Sequence, residues 1–153
     1  MRFISKHISW GEAIKSKTAE KKEIENTPGE LDVQNMKKLA KNVFEPLREW
    51  AKEPIRVNSF YRSVELCEAI GSKSTSQHAK GQAIDIDATG DKTNAELFEY
   101  IKENLDFDQL IWEFGDDDNP DWIHVSYVGV SGNRNRILKA VKKGKKTNYE
   151  LYA

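Results

Sequence analysis

The chain has 153 residues, 38% of them hydrophobic and 32% charged, with 24 basic against 25 acidic side chains. That length closes one core and not two comfortable ones. The near-zero net charge supplies no global field to recruit nucleic acid, and no run approaches the roughly 18–20 apolar residues of a membrane span. A single monomeric domain over 1–153 is expected, with no nucleic-acid partner and no membrane insertion. The opening "MRFISKHISWGEA" lacks the apolar stretch of a secretory signal, so synthesis in the cytoplasm is expected. Cys67 is the sole cysteine, which excludes an internal disulfide and a cysteine-based zinc knot. Its surroundings, "VELCEAIG", predict a buried thiol on a short helix.

In chain order, residues 1–26 read as a helical N-terminal extension, charged and surface-lying. "TPGE" at 27–30 has the pattern of a capping box with proline at the first helical position, which predicts a helix start there. Met36, Leu39, Ala40, Val43, Phe44 and Leu47 follow at spacings of three and four and line one face of a core helix, bent near Pro46. "PIRVNSFYRS" predicts a strand ending near Arg62. "VELCEAIG" is a short helix closed by Gly71, and "STSQHAKGQ" a polar loop. "AIDID" predicts a strand. Thr93 and Glu96 form a second capping box ahead of a helix whose Leu97, Tyr100, Ile101 and Leu105 share a face. "FDQLIWEF" and "WIHVSYVGV" predict two more strands joined by the acidic turn "GDDDNP". Residues 131–153 read as a basic C-terminal tail, a solvated lysine-rich face in preference to a polyanion contact. The sum is an α+β fold with a small antiparallel sheet and flanking helices.

One strand carries an anomaly. Side chains alternate along a strand, so Ile84 and Ile86 point one way while Ala83, Asp85 and Asp87 point the other. A carboxylate such as Asp85 in an apolar strand needs a cation or several donors. His78 lies seven residues upstream on the loop that delivers the strand, and Gly81 between them permits a tight turn. Of the three histidines, His7 lies in the N-terminal segment, which leaves His124 of "DWIHVSYV" as the third ligand. Two histidines and a carboxylate are the ligand count of a catalytic zinc site, one ion per chain, with a fourth position open for water. A general base is then required. Asp121 and Glu113 are both candidates, and Asp121 reaches the site only if the strand begins after it. Asp87 reads as a supporting or solvated acid. "DDDNPD" lacks the glycine and terminal glutamate of a calcium loop.

These residues resemble a known family. "SQHAKGQAIDID" resembles the S-x-H-x-x-G-x-A-x-D signature, and "DWIH" the (D/E)-x-x-H signature, of the zinc D-alanyl-D-alanine carboxypeptidases and phage endolysin peptidases, the M15 family of the Hedgehog/DD-peptidase fold. "VNSFYRS" resembles the family's S-x-Y-R-S segment, with Phe60 where glycine is common. The order and spacing match from about residue 30 to 130. The resemblance implies zinc held by His78, Asp85 and His124, and Asp121 as the acid/base that activates the attacking water. It places Arg62 in the cleft as an oxyanion or carboxylate partner, Ser76 and Trp122 along the substrate, and Glu113 as a supporting residue or rival base. The implied substrate is the peptidoglycan stem peptide, cut by a carboxypeptidase or by an endolysin-type endopeptidase of phage or prophage. The alternative is a non-catalytic metal- or wall-binding module of the same fold.

Overall fold

The computed structural model describes residues 2–152. A six-stranded sheet runs through the molecule in the order β3-β4-β6-β5-β7-β8. Its strands are β3 (Ile55–Ser59), β4 (Ala83–Ala88), β5 (Gln109–Glu113), β6 (Trp122–Ser126), β7 (Arg136–Lys143) and β8 (Lys146–Leu151). All neighbours pair antiparallel except β5 and β7, which run parallel. The fold is α+β, and its main sheet is mixed where an antiparallel one was expected.

Strand alternation gives the sheet two unlike faces. On one face Ile84 and Ile86 of β4, Ile123 and Val125 of β6, and Leu110 and Trp112 of β5 are buried. They belong to the same core as the helical side chains Met36, Leu39, Val43, Phe44, Leu47, Leu97, Phe98 and Ile101. Each such fully buried side chain contributes roughly 1.5–3 kcal/mol, so this face holds the fold together. The other face carries the polar residues described below.

The core helix begins later than the sequence predicts. Helix α3 spans Glu30–Leu39 with Gly29 at its N-cap, and the Asp32 carboxylate, not Glu30, accepts the Gly29 N–H at 3.0 Å. Near Pro46, where a bend is expected, the helix changes its hydrogen-bonding pattern. A π-helical segment, Ala40–Phe44, joins α3 to α4 (Glu45–Ala51). Proline has no N–H and its ring crowds the preceding turn, and the wider π turn accommodates both. The short helix that carries Cys67 is α5 (Val64–Ala69), and the second capping box holds as predicted, with Thr93 capping α6 (Asn94–Asn104).

Both chain ends differ from expectation. Residues read as a helical extension form a small hairpin, β1 (Phe3–Ser5) and β2 (Ile8–Ser9), followed by α1 (Trp10–Ile14) and α2 (Lys17–Lys22). Ile4, Ile8 and Ala13 are part of the main core, so this segment is built into the domain. The basic "tail" is the strand pair β7–β8, turned at Gly144 with φ +66°. No described helix is long and apolar enough to cross a membrane.

Candidate metal centre

The polar face of the sheet is where the site forms. Asp85, in the middle of β4, pairs in register with His124 of β6, which pairs in turn with Ile111 of β5. Cross-strand partners share a face, so Asp85 and His124 meet directly, with His124 Nδ1 3.0 Å from Asp85 Oδ1. His78 arrives from a 3-10 turn, Gln77–Lys80, packed before β4. Its Nε2 lies 3.4 Å from Asp85 Oδ2, and its ring meets that of His124 edge-on at 5.3 Å.

The turn under His78 is fixed from several sides. The Ser76 hydroxyl accepts from the His78 N–H at 3.3 Å, and His78 O accepts from the Arg62 N–H at 3.2 Å. His78 Nδ1 donates to the Phe60 carbonyl at 2.7 Å. A carbonyl can only accept, so Nδ1 carries the proton and Nε2 presents its lone pair. Gly81 closes the turn at φ +72°, where a Cβ would stand 2.4 Å from the Asp32 carbonyl oxygen and 2.6 Å from Met36 Cγ. Gly81→Ala therefore combines a left-handed backbone with an overlap against helix α3. The expected loss is about 2–4 kcal/mol of stability by urea unfolding.

Around the cluster, charge is balanced tightly. Arg62 Nη2 donates to Asp85 Oδ2 at 2.9 Å while its Nε donates to Ser59 Oγ at 2.8 Å. Ser59 reaches this position through an irregularity in the β3–β4 register between Val57 and Ser59, which leaves Ser59 opposite Asp85. Burial alone would raise the Asp85 carboxyl. The surrounding His78 and His124 imidazoles outweigh it and hold Asp85 well below the usual carboxylate range. Burial pushes His78 down, against the opposing pull of Asp85, so its imidazole stays neutral and available as a ligand.

These residues fit a metal ion. The His78, Asp85 and His124 ligand atoms all lie within 4.8 Å of one another. Ligand atoms about 2.0–2.1 Å from a tetrahedral zinc stand about 3.3 Å apart; here His124 Nδ1 lies 3.0 Å from one oxygen of Asp85 and His78 Nε2 3.4 Å from the other, so the carboxylate stands between the two rings. His78 Nε2 is buried without a hydrogen-bond partner among the described residues. Such a group normally has one, and a bound cation would supply it.

Glu113 lies at the end of β5 in register with Trp122 of β6, on the same face as Asp85 and His124. It is 6% exposed. Burial raises its carboxyl to about 7, His124 opposing, Asp85 reinforcing and Arg62 opposing that rise. Asp121 is different: β6 begins at Trp122, as the proline before it foreshadowed, but Asp121 is exposed just ahead of the strand. Trp122 is half-buried and packs against Phe114 with ring centroids 5.4 Å apart. His7 is bonded to Glu45 at 2.6 Å, and Cys67 is buried with its thiol pushed up by burial.

Three supports escaped sequence reasoning. Buried Asn26 donates to the carbonyls of Ile14 and Tyr61 and accepts from the Ser63 N–H, which fixes the segment carrying Arg62. Asp108, 2% exposed, accepts from Gln77 at 2.8 Å and from Arg134, tying the His78 turn to the start of β5. Tyr149 of β8 is in register with Ala140, itself in register with Glu113. Burial raises the Tyr149 hydroxyl, followed by the charges of Glu113 and Asp85. Asn26 and Asp108 are lone polar residues in loops, and Tyr149 lies in a lysine-rich segment whose strand alternation is masked, so no pattern finds these three in advance.

Comparison with known proteins agrees with this geometry. A search of curated proteins finds no match to the chain. A family model described as peptidase M15 matches residues 6–126, a span that contains His78, Asp85, His124, Arg62 and Glu113 and leaves β7 and β8 outside. With most of its length matched and a His-Asp-His cluster that suits zinc, the chain belongs to the peptidase M15 family of zinc-dependent peptidases.

Proposed function

We propose that the protein hydrolyses peptide bonds of the peptidoglycan stem peptide, with His78, Asp85 and His124 holding one zinc ion and Glu113 moving the proton. The observation that carries this reading is a buried carboxyl, Glu113, on the same sheet face as a three-donor cluster that can hold a metal. In the metal-free fold that carboxyl is raised to about 7, and perturbed acids beside charged partners concentrate in active sites.

Zinc, when bound, polarises the scissile carbonyl and brings the pKa of the attacking water toward 7. Glu113 takes the water proton on a carboxylate oxygen and returns it to the leaving amine nitrogen. Arg62 is held by Ser59 and Asp85, and of the five donors of a guanidinium the unused ones are available to the oxygen that gains charge. Trp122 lines the peptide path. Ser76 acts first as the cap of the His78 turn, and its second role, bonding substrate backbone, uses the remaining capacity of its hydroxyl. Asp121 stands as the rival base, and its exposure is the reason for preferring Glu113.

The test is release of free amines from purified peptidoglycan, before chelation, after it, and after zinc is restored. About one zinc per chain with chelation-sensitive cleavage is the expected result. Mass spectrometry of the fragments then distinguishes a D-alanyl-D-alanine carboxypeptidase from an endolysin-type endopeptidase. One zinc per chain without cleavage of any wall type would instead make this a metal-binding module.

A further inference from the structure

Beside the metal cluster lies a cavity of about 570 Å³ whose lining includes Lys15, Lys17, Arg56 and Arg62 and no acidic residue. Lys15 and Lys17 come from the link between α1 and α2 and the start of α2, Arg56 from β3. Leu66 and Ile70 give the cavity an apolar wall. Arg62 joins it to the site, since the same guanidinium bonds Asp85 at 2.9 Å.

The cations are unequally occupied. Arg62 is paired with Asp85. Arg56 makes a long contact of 3.4 Å to Asp87 with 63% of its side chain exposed. Lys15 and Lys17 are exposed, and neither has a carboxylate within ion-pair distance among the described residues. A chain with almost equal numbers of basic and acidic side chains thus lines one cavity at the edge of its site with four cations and no carboxylate, Asp85 and Asp87 meeting only the two arginines among them, from outside the lining. Like charges held together in a concave wall repel one another and raise the local concentration of anions.

Resting on the peptidase reading above, we infer that this cavity is a subsite for a free carboxylate on the substrate residue flanking the scissile bond, held by Lys15, Lys17 and Arg56. The ligand class is an acidic peptide. A peptide reaching the metal cluster past Arg62 lays its neighbouring residue in this cavity, where the apolar wall takes the aliphatic part of the side chain and the cations its carboxylate. Because both lysines are exposed, the attraction is screened by salt. Selection therefore weakens as ionic strength rises.

The experiment compares a synthetic stem pentapeptide bearing free carboxylates with its fully amidated counterpart. Both are offered to the zinc-loaded wild-type protein and to the Lys15→Gln/Lys17→Gln double variant. Wild type is expected to favour the acidic peptide in kcat/KM, and that acid-over-amide ratio is expected to fall at least about fivefold in the double variant and in high salt. An unaltered ratio overturns the inference. If wild type cleaves neither peptide, the peptidase reading has failed on its own, and calorimetric binding decides this question separately. Weaker binding of the acidic peptide by the double variant supports the subsite, and equal binding overturns it.

Discussion

Glu113→Gln is expected to keep about one zinc per chain and to lose about 10²–10⁴-fold in kcat, the usual contribution of a positioned general base. Asp121→Asn is expected to stay within a few-fold of wild type. The opposite pattern, with Asp121→Asn inactive and Glu113→Gln active, would move the base to Asp121. The same substitution has a second, independent signature in stability. In the metal-free fold Glu113 is raised from 4.5 to about 7, so between those values the folded state holds a proton that the unfolded chain has released. Stability contributed by this group is present below about pH 4.5 and is lost as pH rises through 7. The rise corresponds to about 3 kcal/mol. Metal-free Glu113→Gln should therefore be more stable than wild type at pH 8 by roughly that amount and similar to it at pH 4, as measured by urea unfolding. A bound divalent cation opposes the raised value, so the acidic limb of the wild-type activity profile falls below 7. That limb should be missing from whatever activity Glu113→Gln retains.

Replacing a ligand is expected to remove metal and turnover together. For His78→Ala, Asp85→Ala and His124→Ala the zinc content should fall from about one per chain to near zero, with activity reduced by about 10³-fold or more. The three are not equivalent in stability. Asp85 is the partner of Arg62, whose side chain is only 16% exposed, and stripping one member from such a buried pair costs about 3–5 kcal/mol. His124→Ala leaves that pair intact and is the cleaner probe. Zinc at about a thousandfold over its dissociation constant should stabilise wild type by about 4 kcal/mol in thermal unfolding, an increment all three variants should lack. A variant that binds stoichiometric zinc and still gains this increment would remove its residue from the ligand set.

The difference between expectation and structure at the two chain ends has a physical cause. β1 and β2 have three and two residues, too short for any period to register, and the charged segment around them resembles a helix in composition. In "RILKAVKKGKK" the alternation is present, with Leu138 and Ala140 buried, but lysines occupy many of the remaining positions and mask it. Burial of those two residues against Ile111 came from a partner strand distant in sequence. Long, strongly periodic segments were legible. The face of Met36 to Leu47 and the Thr93–Glu96 capping box depend on residues a few positions apart, and local chemistry decides them.

The site divides along the same line. From sequence alone came the face of the β4 strand that bears Asp85 and the tight turn that Gly81 permits, because strand alternation and turn sterics are local rules, while His78 and His124 were singled out as its partners because the chain has only three histidines. Only the folded chain decided that Glu113 is buried at the raised end of the pKa range while Asp121 is exposed, that Arg62 bonds the ligand carboxylate, and that Lys15 and Lys17 stand beside β3. Those facts depend on register and desolvation between segments far apart in the chain, and a residue's burial and charge environment exist only once the strands have paired.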